Sequence, residues 1–280
     1  MSNDTNTVFH WSKRRLHHIF DRDGRAVVVA MDHAAQGPKY GLEQPNKVVA
    51  QVVAGGADAI LTTFGMARAV ADVLGNTGLI IALDSEGPVA DYGVDLALRF
   101  GADAVMLKVF PGNPQETKLG DLRRLVAHCS EWNMPLLAEP IPISFQEKSA
   151  HTVENVAKAA RTAAEAGADF VKVHYVPPIA DYRAVIESCY VPVLVLGGPA
   201  TGDPRGTLQV AAEAMEAGAS GVIFGRNILT YPRPDRMVAA LGEIVHGGAS
   251  VDRAFKSLSA PIAVGLNCTG QQQPIESFVS

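Results

Sequence analysis

One lysine interrupts an otherwise apolar pattern in this chain. A Gly-Ala-Asp or Gly-Ala-Ser triplet followed by an apolar run occurs four times, starting at Gly56, Gly101, Gly167 and Gly218. Three residues after each triplet, the copies carry Leu61, Met106, Lys172 and Ile223. Burying a lysine ammonium costs free energy. The presence of a lysine inside a strand therefore indicates that its amine has a chemical role.

The reaction most typical of a buried lysine is nucleophilic attack of its amine on a carbonyl carbon. Only the neutral amine attacks, and an unperturbed lysine reaches that form at pH 7 at a cost of about 4.6 kcal/mol. Desolvation and a second cation both reduce this cost, and Lys108 is the candidate for the second cation. The alternative interpretation is that Lys172 pairs with a buried carboxylate in a structural role.

Carboxylates follow three apolar runs of the sequence. Asp32 and His33 end the first run, where they could hold a substrate hydroxyl or move a proton, although Asp32 could instead cap a loop. Glu139 ends the fifth run just before Pro140, which makes a capping role poor and favours a general acid or base. Asp84 follows the third run. It could also take part in chemistry, but capping the following loop explains it at least as well.

Glycines and basic residues after the last two runs predict an anion site. Gly197-Gly198-Pro199 follows the seventh run, and Gly225-Arg226-Asn227 follows the eighth. Backbone N–H groups at such turns bind phosphate, and an arginine adds two parallel hydrogen bonds to its oxygens. Lys148 and His151 lie on a long segment further upstream and could approach a ligand, although exposed loop residues of this kind are usually only solvated.

Eight β-branched, apolar runs predict the strands that position these residues: 27–31, 59–63, 79–84, 104–109, 135–139, 170–174, 191–196 and 221–225. The runs are continuous rather than alternating, which is typical of parallel strands buried on both faces. Stretches at helical spacing lie between them, among them 122–132, 153–166 and 207–217. The pattern predicts a (β/α)8 TIM barrel with the repeat on alternate strands; an open doubly wound sheet is the alternative.

Alternate strands of such a barrel share interior layers of four side chains. Leu61, Met106, Lys172 and Ile223 are therefore expected in one layer. Two residues further along the strands, a polar layer is predicted from Thr63, Lys108, His174 and Gly225. This second layer lies at the carboxyl ends of the strands, where barrel enzymes carry their chemistry, and residues 141–151 form a candidate active-site loop.

Length and composition favour one α/β domain, with 280 residues, 48% hydrophobic residues and a net charge of -5. We expect an N-terminal cap with a short helix over 1–25, the barrel over 26–246 and a C-terminal extension over 247–280. The charge argues against nucleic-acid binding, and Lys13, Arg14 and Arg15 are interpreted as a solvated helix face. Three scattered cysteines, no signal-peptide pattern and no membrane-length run favour a cytoplasmic protein, and no metal-ligand spacing or cofactor motif is found.

Several of these segments resemble the class I Schiff-base aldolases of the deoxyribose-phosphate, archaeal-type fructose-bisphosphate and tagatose-bisphosphate aldolase superfamily. The similar segments are Met31-Asp32-His33 with Gly37-Pro38, Ala168-Asp-Phe-Val-Lys172-Val, Gly197-Gly198-Pro199 and Gly221-Val-Ile-Phe-Gly225-Arg226-Asn227. The resemblance implies that Lys172 forms the Schiff base and that Asp32 positions or deprotonates the substrate. It also implies that Gly198, Gly225 and Arg226 hold a phosphate, and we expect His33, His174 and Gly197 to contact the ligand as well.

The fifth run departs from part of this superfamily. Archaeal-type fructose-bisphosphate aldolases carry a catalytic tyrosine there, whereas this chain reads Ala138-Glu139-Pro140. The Glu-Pro pair is similar to the tagatose-bisphosphate and sulfofructose-phosphate branch, which implies that Glu139 is the acid/base. The resemblance thus implies a metal-independent aldolase, without cofactor, that acts on a phosphorylated ketose or dihydroxyacetone-phosphate-like substrate as a homo-oligomer. The alternatives are a Schiff-base acyltransferase on a phosphorylated dicarbonyl compound, and a sugar-phosphate sensor with weak catalysis.

Overall fold

Eight parallel strands close into a barrel in the order of the chain. The computed structural model describes residues 13–32, 41–83, 89–115, 117–198 and 201–259. The strands are β1 (Ala26–Ala30), β2 (Ala59–Thr62), β3 (Gly78–Ala82), β4 (Ala104–Val109), β5 (Leu136–Pro140), β6 (Phe170–His174), β7 (Val193–Leu196) and β8 (Gly221–Phe224). The predicted TIM barrel is confirmed, and the open doubly wound alternative is wrong, because β1 pairs with β8 in parallel register.

Helices connect the strands and cover the outside of the barrel. They are α1 (Pro45–Ala54), α2 (Phe64–Ala69), α3 (Ala71–Leu74), α4 (Val89–Arg99), α5 (Leu119–Glu131), α6 (Val153–Glu165), α7 (Ile179–Ser188), α8 (Pro204–Ala217), α9 (Arg226–Leu229), α10 (Pro234–Val245) and α11 (Val251–Ser257). Helix α8 begins three residues before its predicted start because Pro204 occupies the first turn, where a missing N–H costs nothing. None of the described helices is long and apolar enough to cross a membrane.

Burial along the strands explains their apolar composition. In β1, for example, Ala26 and Val28 belong to a core inside the barrel, while Val27 and Val29 belong to the core between sheet and helices. Every strand residue is buried except three half-buried ones near the carboxyl ends, Lys108, His174 and Leu196. The described strands are therefore fully buried along most of their length, and their half-buried residues lie at the end where polar residues were predicted.

The amino end of the barrel is closed by a 3-10 helix at Arg14–His18. Leu16, Ile19 and Phe20 join the interior core, and the Phe20 ring meets Phe170 edge-on at 5.4 Å between centroids. This is the short N-terminal capping helix that the sequence predicted. The interpretation of Lys13 as part of a solvated face is wrong, because its ammonium lies 2.8 Å from Asp169 and bonds the Met134 carbonyl.

The Gly-Ala-Asp repeat fastens neighbouring strands together. In three copies the aspartate accepts a hydrogen bond from the first residues of the preceding strand: Asp58 from Val27 N, Asp103 from Leu79 N and Asp169 from Leu136 N. The glycine of each triplet has a positive φ, as at Gly167 (+109°), which ends the preceding helix without a Cβ penalty. The repeat thus has a structural cause that is separate from the polar residues predicted at the other end of the barrel.

The predicted layers are largely, but not fully, present. Leu61, Met106 and Ile223 lie in the interior core, at the level where Lys172 was expected. The assignment of Thr63 to the polar layer is wrong. Thr63 is exposed and caps α2, accepting a hydrogen bond from Met66 N, because β2 ends one residue earlier than predicted.

Candidate active site

A cavity of about 580 Å³ opens at the carboxyl ends of the strands. Its lining combines four cations, two carboxylates, two histidines and three glycines with a small apolar wall: Ala30, Asp32, Lys108, Glu139, Phe145, Gln146, Lys148, His151, Lys172, His174, Leu196, Gly197, Gly198, Ile223, Gly225 and Arg226. A pocket of this size encloses a small metabolite.

Lys172 and Glu139 form a buried ion pair at the floor of the cavity. They come from the adjacent strands β6 and β5, and Lys172 Nζ lies 3.1 Å from Glu139 Oε1. Their side chains are 8% and 3% exposed. Two charges this deep are tolerated only because each compensates the other. The pair brings an amine and a proton acceptor together out of bulk water.

Asp32 and Lys108 extend this pair into a row of alternating charges. Lys108 Nζ lies 3.0 Å from Asp32 Oδ2 and 4.0 Å from Glu139 Oε2. Lys108 and Glu139 face each other across the β4–β5 ladder, which fixes the approach of their side chains. Because Asp32 offsets much of its charge, Lys108 acts on Lys172 less strongly than a lone second cation would.

A glycine-rich wall lies after β7 and β8. Gly198 has φ +65°, a conformation that a side chain disfavours, and a Cβ on Gly197 would come 2.9 Å from the Phe224 ring. Asn227 ties the two loops together by donating to the Gly197 carbonyl at 2.8 Å. Arg226 follows Gly225 into the short helix α9 and lines the cavity. This wall offers backbone N–H groups and one guanidinium to an anion.

Two histidines in ring contact line the cavity beside this wall, since His174 pairs with Leu196 in the β6–β7 ladder. The His174 and His151 rings lie 4.4 Å apart between centroids, and Phe145 meets His174 edge-on at 6.2 Å. Burial, followed by His151 and Lys172, lowers the pKa of His174 from 6.5 to about 4. His174 is therefore neutral at physiological pH, and its Nδ1 is buried without a hydrogen-bond partner among the described residues. A neutral imidazole can donate or accept a hydrogen bond to a bound hydroxyl.

The loop between β5 and α6 carries much of this histidine side of the cavity, as its length predicted. Its residues 141–152 are held to the preceding loop by hydrogen bonds from Ile143 N to the Pro111 carbonyl and from Asn113 Nδ2 to the Ile143 carbonyl. Ile143 has φ +61°, which is rare for a β-branched residue and indicates a constrained loop. Lys148 and His151 line the cavity, as the sequence allowed, although Lys148 is also exposed to solvent.

Among the described residues, the histidine and carboxylate side chains that cluster closely enough to bind a metal ion lie outside this cavity. Within the described ranges, the side chains that approach closely enough to share an ion are Asp21, Asp23 and His246, at the other end of the barrel. There, hydrogen bonds to Asp58 and Asp23 raise the pKa of His246 to about 9, against the effect of burial. The protonated ring donates both N–H groups to carboxylates and has no lone pair for a metal.

The family model of the DeoC/LacD family aldolases matches residues 26–231. The chain belongs to this family. The match spans all eight strands and the cavity wall after β8, and it confirms the superfamily that the sequence motifs resemble. This DeoC/LacD family aldolase is thus an enzyme of the aldehyde-lyase type.

Curated relatives of this DeoC/LacD aldolase match over most of both chains. An uncharacterized aldolase of Saccharolobus solfataricus is 34% identical over 269 residues, which cover 88% of this chain and 98% of the relative. A 2-amino-4,5-dihydroxy-6-oxo-7-(phosphonooxy)heptanoate synthase of Streptomyces griseus is 32% identical over 248 residues, which cover 85% and 90%.

Solved structures of Schiff-base aldolases share the fold. A Schiff-base-forming fructose-1,6-bisphosphate aldolase is 26% identical with a TM-score of 0.74, covering 82% of this chain and 98% of that one. An archaeal fructose-1,6-bisphosphate aldolase, whose catalytic lysine is covalently bound to the carbinolamine intermediate, has the same identity and TM-score, with 83% and 98% covered. This DeoC/LacD aldolase therefore has the fold of class I aldolases.

The structure brings together all but one of the predicted site residues of this aldolase. The nine that line the cavity are Asp32, Lys108, Glu139, Lys172, His174, Gly197, Gly198, Gly225 and Arg226. His33 lies outside the described residues, as does Pro199. Sequence reasoning missed Phe145 and Gln146, whose only signal was their place on a long loop after a strand.

Proposed function

We propose that this chain is a metal-independent class I aldolase that cleaves or forms a C–C bond of a phosphorylated ketose through a Schiff base on Lys172. The observation that carries the proposal is the contact of 3.1 Å between Lys172 Nζ and Glu139 Oε1 inside a cavity with a glycine and arginine wall. This chemistry requires an amine, an adjacent proton acceptor and groups that bind the phosphate. Family membership supports the same reaction class.

In the first half of the proposed reaction, Lys172 attacks the ketone. Glu139 takes a proton from the ammonium, and the neutral amine adds to the carbonyl carbon to give a carbinolamine. The protonated Glu139 then gives its proton to the departing hydroxyl, which leaves as water and generates an iminium ion. One carboxylate serves both steps because it lies within hydrogen-bond distance of the nitrogen.

In the second half, the iminium ion accepts the electrons of the broken C3–C4 bond. Glu139, or a water held with Asp32, removes the C4 hydroxyl proton, the aldehyde leaves and an enamine remains on Lys172. Protonation of the enamine carbon and hydrolysis of the imine release a dihydroxyacetone-phosphate-like product. Lys108 holds Asp32 in place at 3.0 Å during these steps.

Substrate orientation is assigned to two adjacent sides of the cavity. Gly197, Gly198, Gly225 and Arg226 are proposed to bind the phosphate. The adjacent histidine side of the cavity is proposed to bind the hydroxyl groups, with His174 as a neutral hydrogen-bonding partner. We keep His33 as a further proposed ligand contact.

Borohydride trapping tests the lysine. Reducing the enzyme in the presence of dihydroxyacetone phosphate should add the ketone fragment to the peptide that contains Lys172, as seen by mass spectrometry. A Lys172→Arg variant should keep its fold and lose the label, whereas the matched Lys148→Arg variant should keep the label. Labelling of Lys108 or Lys148 instead would overturn the assignment, and loss of activity after dialysis against a chelator would overturn metal independence.

The Streptomyces griseus relative favours a second candidate, in which the physiological direction is condensation. That relative is a synthase of a phosphonooxy-heptanoate. A synthase of this kind would use the same Lys172 enamine, formed from a ketone phosphate, to attack an aldehyde. Initial rates in both directions separate the two candidates: a condensation rate that exceeds cleavage at equal substrate concentrations favours the synthase.

We also propose that the whole chain forms one barrel domain, with residues 1–25 as its cap, and that the enzyme is a homo-oligomer. Helix α11 supports the single domain by packing against both α8 and α10. Light scattering on the purified enzyme tests the assembly, and a mass of about 30 kDa would show a monomer instead.

A further inference from the structure

The amino end of the barrel carries a cleft that the proposed chemistry does not use. This basal cleft has a volume of about 820 Å³ and lies between the loop before β3 and the loop before β4. Its polar lining includes His18, Arg68, Asn76, Thr77, Arg99 and Asp103. It is the opposite end of the barrel from Lys172, so a ligand there would not compete with substrate.

Arginines dominate the charge of the basal cleft. Arg68 comes from α2 and Arg99 from the last turn of α4. Neither guanidinium forms an ion pair or a side-chain hydrogen bond within the described part of the chain. Two guanidinium groups that face one cleft repel each other, so an anion bound between them would be stabilised by both.

Asp103, the carboxylate in the lining, does not neutralise these arginines. Its Oδ1 lies 2.6 Å from His18 Nδ1, and its Oδ2 accepts from Leu79 N at 3.0 Å. Both carboxylate oxygens are therefore already hydrogen-bonded, one to His18 of the N-terminal cap and one to the backbone of β3. The basal cleft keeps a net positive charge in a protein whose net charge is -5.

A second hollow adjoins the cleft and extends its positive charge. This hollow, of about 400 Å³, shares His18, Gly101 and Asp103 with the cleft and adds Arg14 and Arg15. The basic triplet that begins at Lys13 is thus divided between two roles. Lys13 pairs with Asp169, while the two arginines that follow it border the hollow.

The geometry points to a small polyanion, and we propose that the basal cleft binds a metabolite with two or more phosphate or carboxylate groups. The cleft has the volume of a small-molecule site. Arginine forks match phosphate and carboxylate oxygens bidentately, and Asn76 and Thr77 add neutral donors. Gly75 has φ +57° and no atom within 4 Å of a Cβ position, so space remains above this loop.

Calorimetric titration tests the basal cleft in the full chain. Pyrophosphate and propane-1,2,3-tricarboxylate serve as probes, so that the two arms separate a phosphate ligand from a carboxylate ligand. The titrations use an Arg226→Gln background, which weakens anion binding at the catalytic end. We expect one binding event per chain for at least one probe, weakened about tenfold or more by Arg68→Gln with Arg99→Gln because charge-assisted hydrogen bonds are lost.

A matched pair of surface arginines controls for net charge. Arg123→Gln with Arg183→Gln removes the same charge from α5 and α7, outside the basal cleft, and should leave the affinity unchanged. If both pairs of substitutions weakened binding equally, the attraction would be general and the proposal would be overturned. It would also be overturned if neither probe bound. All four replaced side chains are exposed, and melting temperatures confirm that the variants are folded. These outcomes do not depend on whether Lys172 forms a Schiff base.

Discussion

At the scale of single residues, Lys172 combines two features that the sequence offered as alternatives. It lines the cavity at the carboxyl ends of the strands, and it pairs with a buried carboxylate at 3.1 Å. The ion pair is not a competing explanation, because the carboxylate that compensates the ammonium is also placed to accept its proton. The buried position of Lys172 and its proposed chemistry therefore have a common basis in Glu139.

Charge balance in the cavity explains why four ionisable groups can share this space. Lys172, Glu139, Lys108 and Asp32 alternate in sign along a row, with neighbouring contacts from 3.0 to 4.0 Å. Each group has at least one opposite charge beside it, so none is buried uncompensated. Removing one member leaves its neighbour with a desolvation cost.

A double-mutant cycle on the floor of the cavity tests this balance. Lys172→Met removes the ammonium that lies 3.1 Å from Glu139, and we expect it to lower the free energy of unfolding by about 3 kcal/mol. Glu139→Leu should cost a similar amount by leaving Lys172 unpaired. The double variant should be more stable than the sum of the two losses implies. Urea unfolding measures all four proteins, and simple additivity would show that the pair is not coupled.

At the scale of elements, the sequence predicted the strands well because their signal is local. Continuous apolar runs follow directly from burial on both faces, and β4 and β6 begin and end where they were predicted. The sequence predicted an active-site loop over 141–151, but not that Phe145 and Gln146 would line the cavity, because the direction of loop side chains depends on distant contacts. One such contact is the hydrogen bond from Asn113 to the Ile143 carbonyl, between two different loops.

The repeat shows the same limit in another form. The sequence correctly placed its copies on alternate strands, but the role of the aspartates depends on contacts from other elements. Asp58 bonds His246, Asp103 bonds His18 and Asp169 bonds Lys13, so each carboxylate joins a strand to a basic residue far away in the chain. Spacing along one strand does not reveal such partners.

Replacing one repeat aspartate should weaken the barrel without changing its chemistry. Asp169→Ala removes both the bond to Leu136 N and the pair with Lys13, and should lower the free energy of unfolding by about 2–3 kcal/mol. Asp169→Asn keeps an acceptor and should cost about 1 kcal/mol. Ser220→Ala, in the copy without an acid, is the control and should cost less than either. Urea unfolding gives the energies, and a change in KM below the unfolding transition would contradict the separation of fold and site.

At the scale of the whole molecule, two histidines at opposite ends of the barrel respond to pH in opposite directions. His174, in the cavity, has a pKa lowered to about 4 by burial, His151 and Lys172. His246, at the amino end, has a pKa raised to about 9, chiefly by its hydrogen bond to Asp58 and further by Asp23. Between about pH 4 and 6.5, folded His174 stays neutral while the unfolded chain binds a proton there. Between about pH 6.5 and 9, folded His246 keeps its proton while the unfolded chain loses it.

These shifts predict how each histidine contributes to stability across the pH range. The unfolded chain protonates His174 below about 6.5 while the folded protein does not until about pH 4, so this residue lowers stability as the pH falls through that interval. The contribution of His246 is fully present below about pH 6.5 and is lost as the pH rises towards 9. His174→Gln should therefore gain stability relative to wild type between about pH 6.5 and 4, and His246→Gln should lose most of its deficit above about pH 9. Urea unfolding of the three proteins at about pH 4.5, 6.5 and 9.5 measures these differences, and a pH-independent difference for either variant would show that its histidine titrates alike in the folded and unfolded chains.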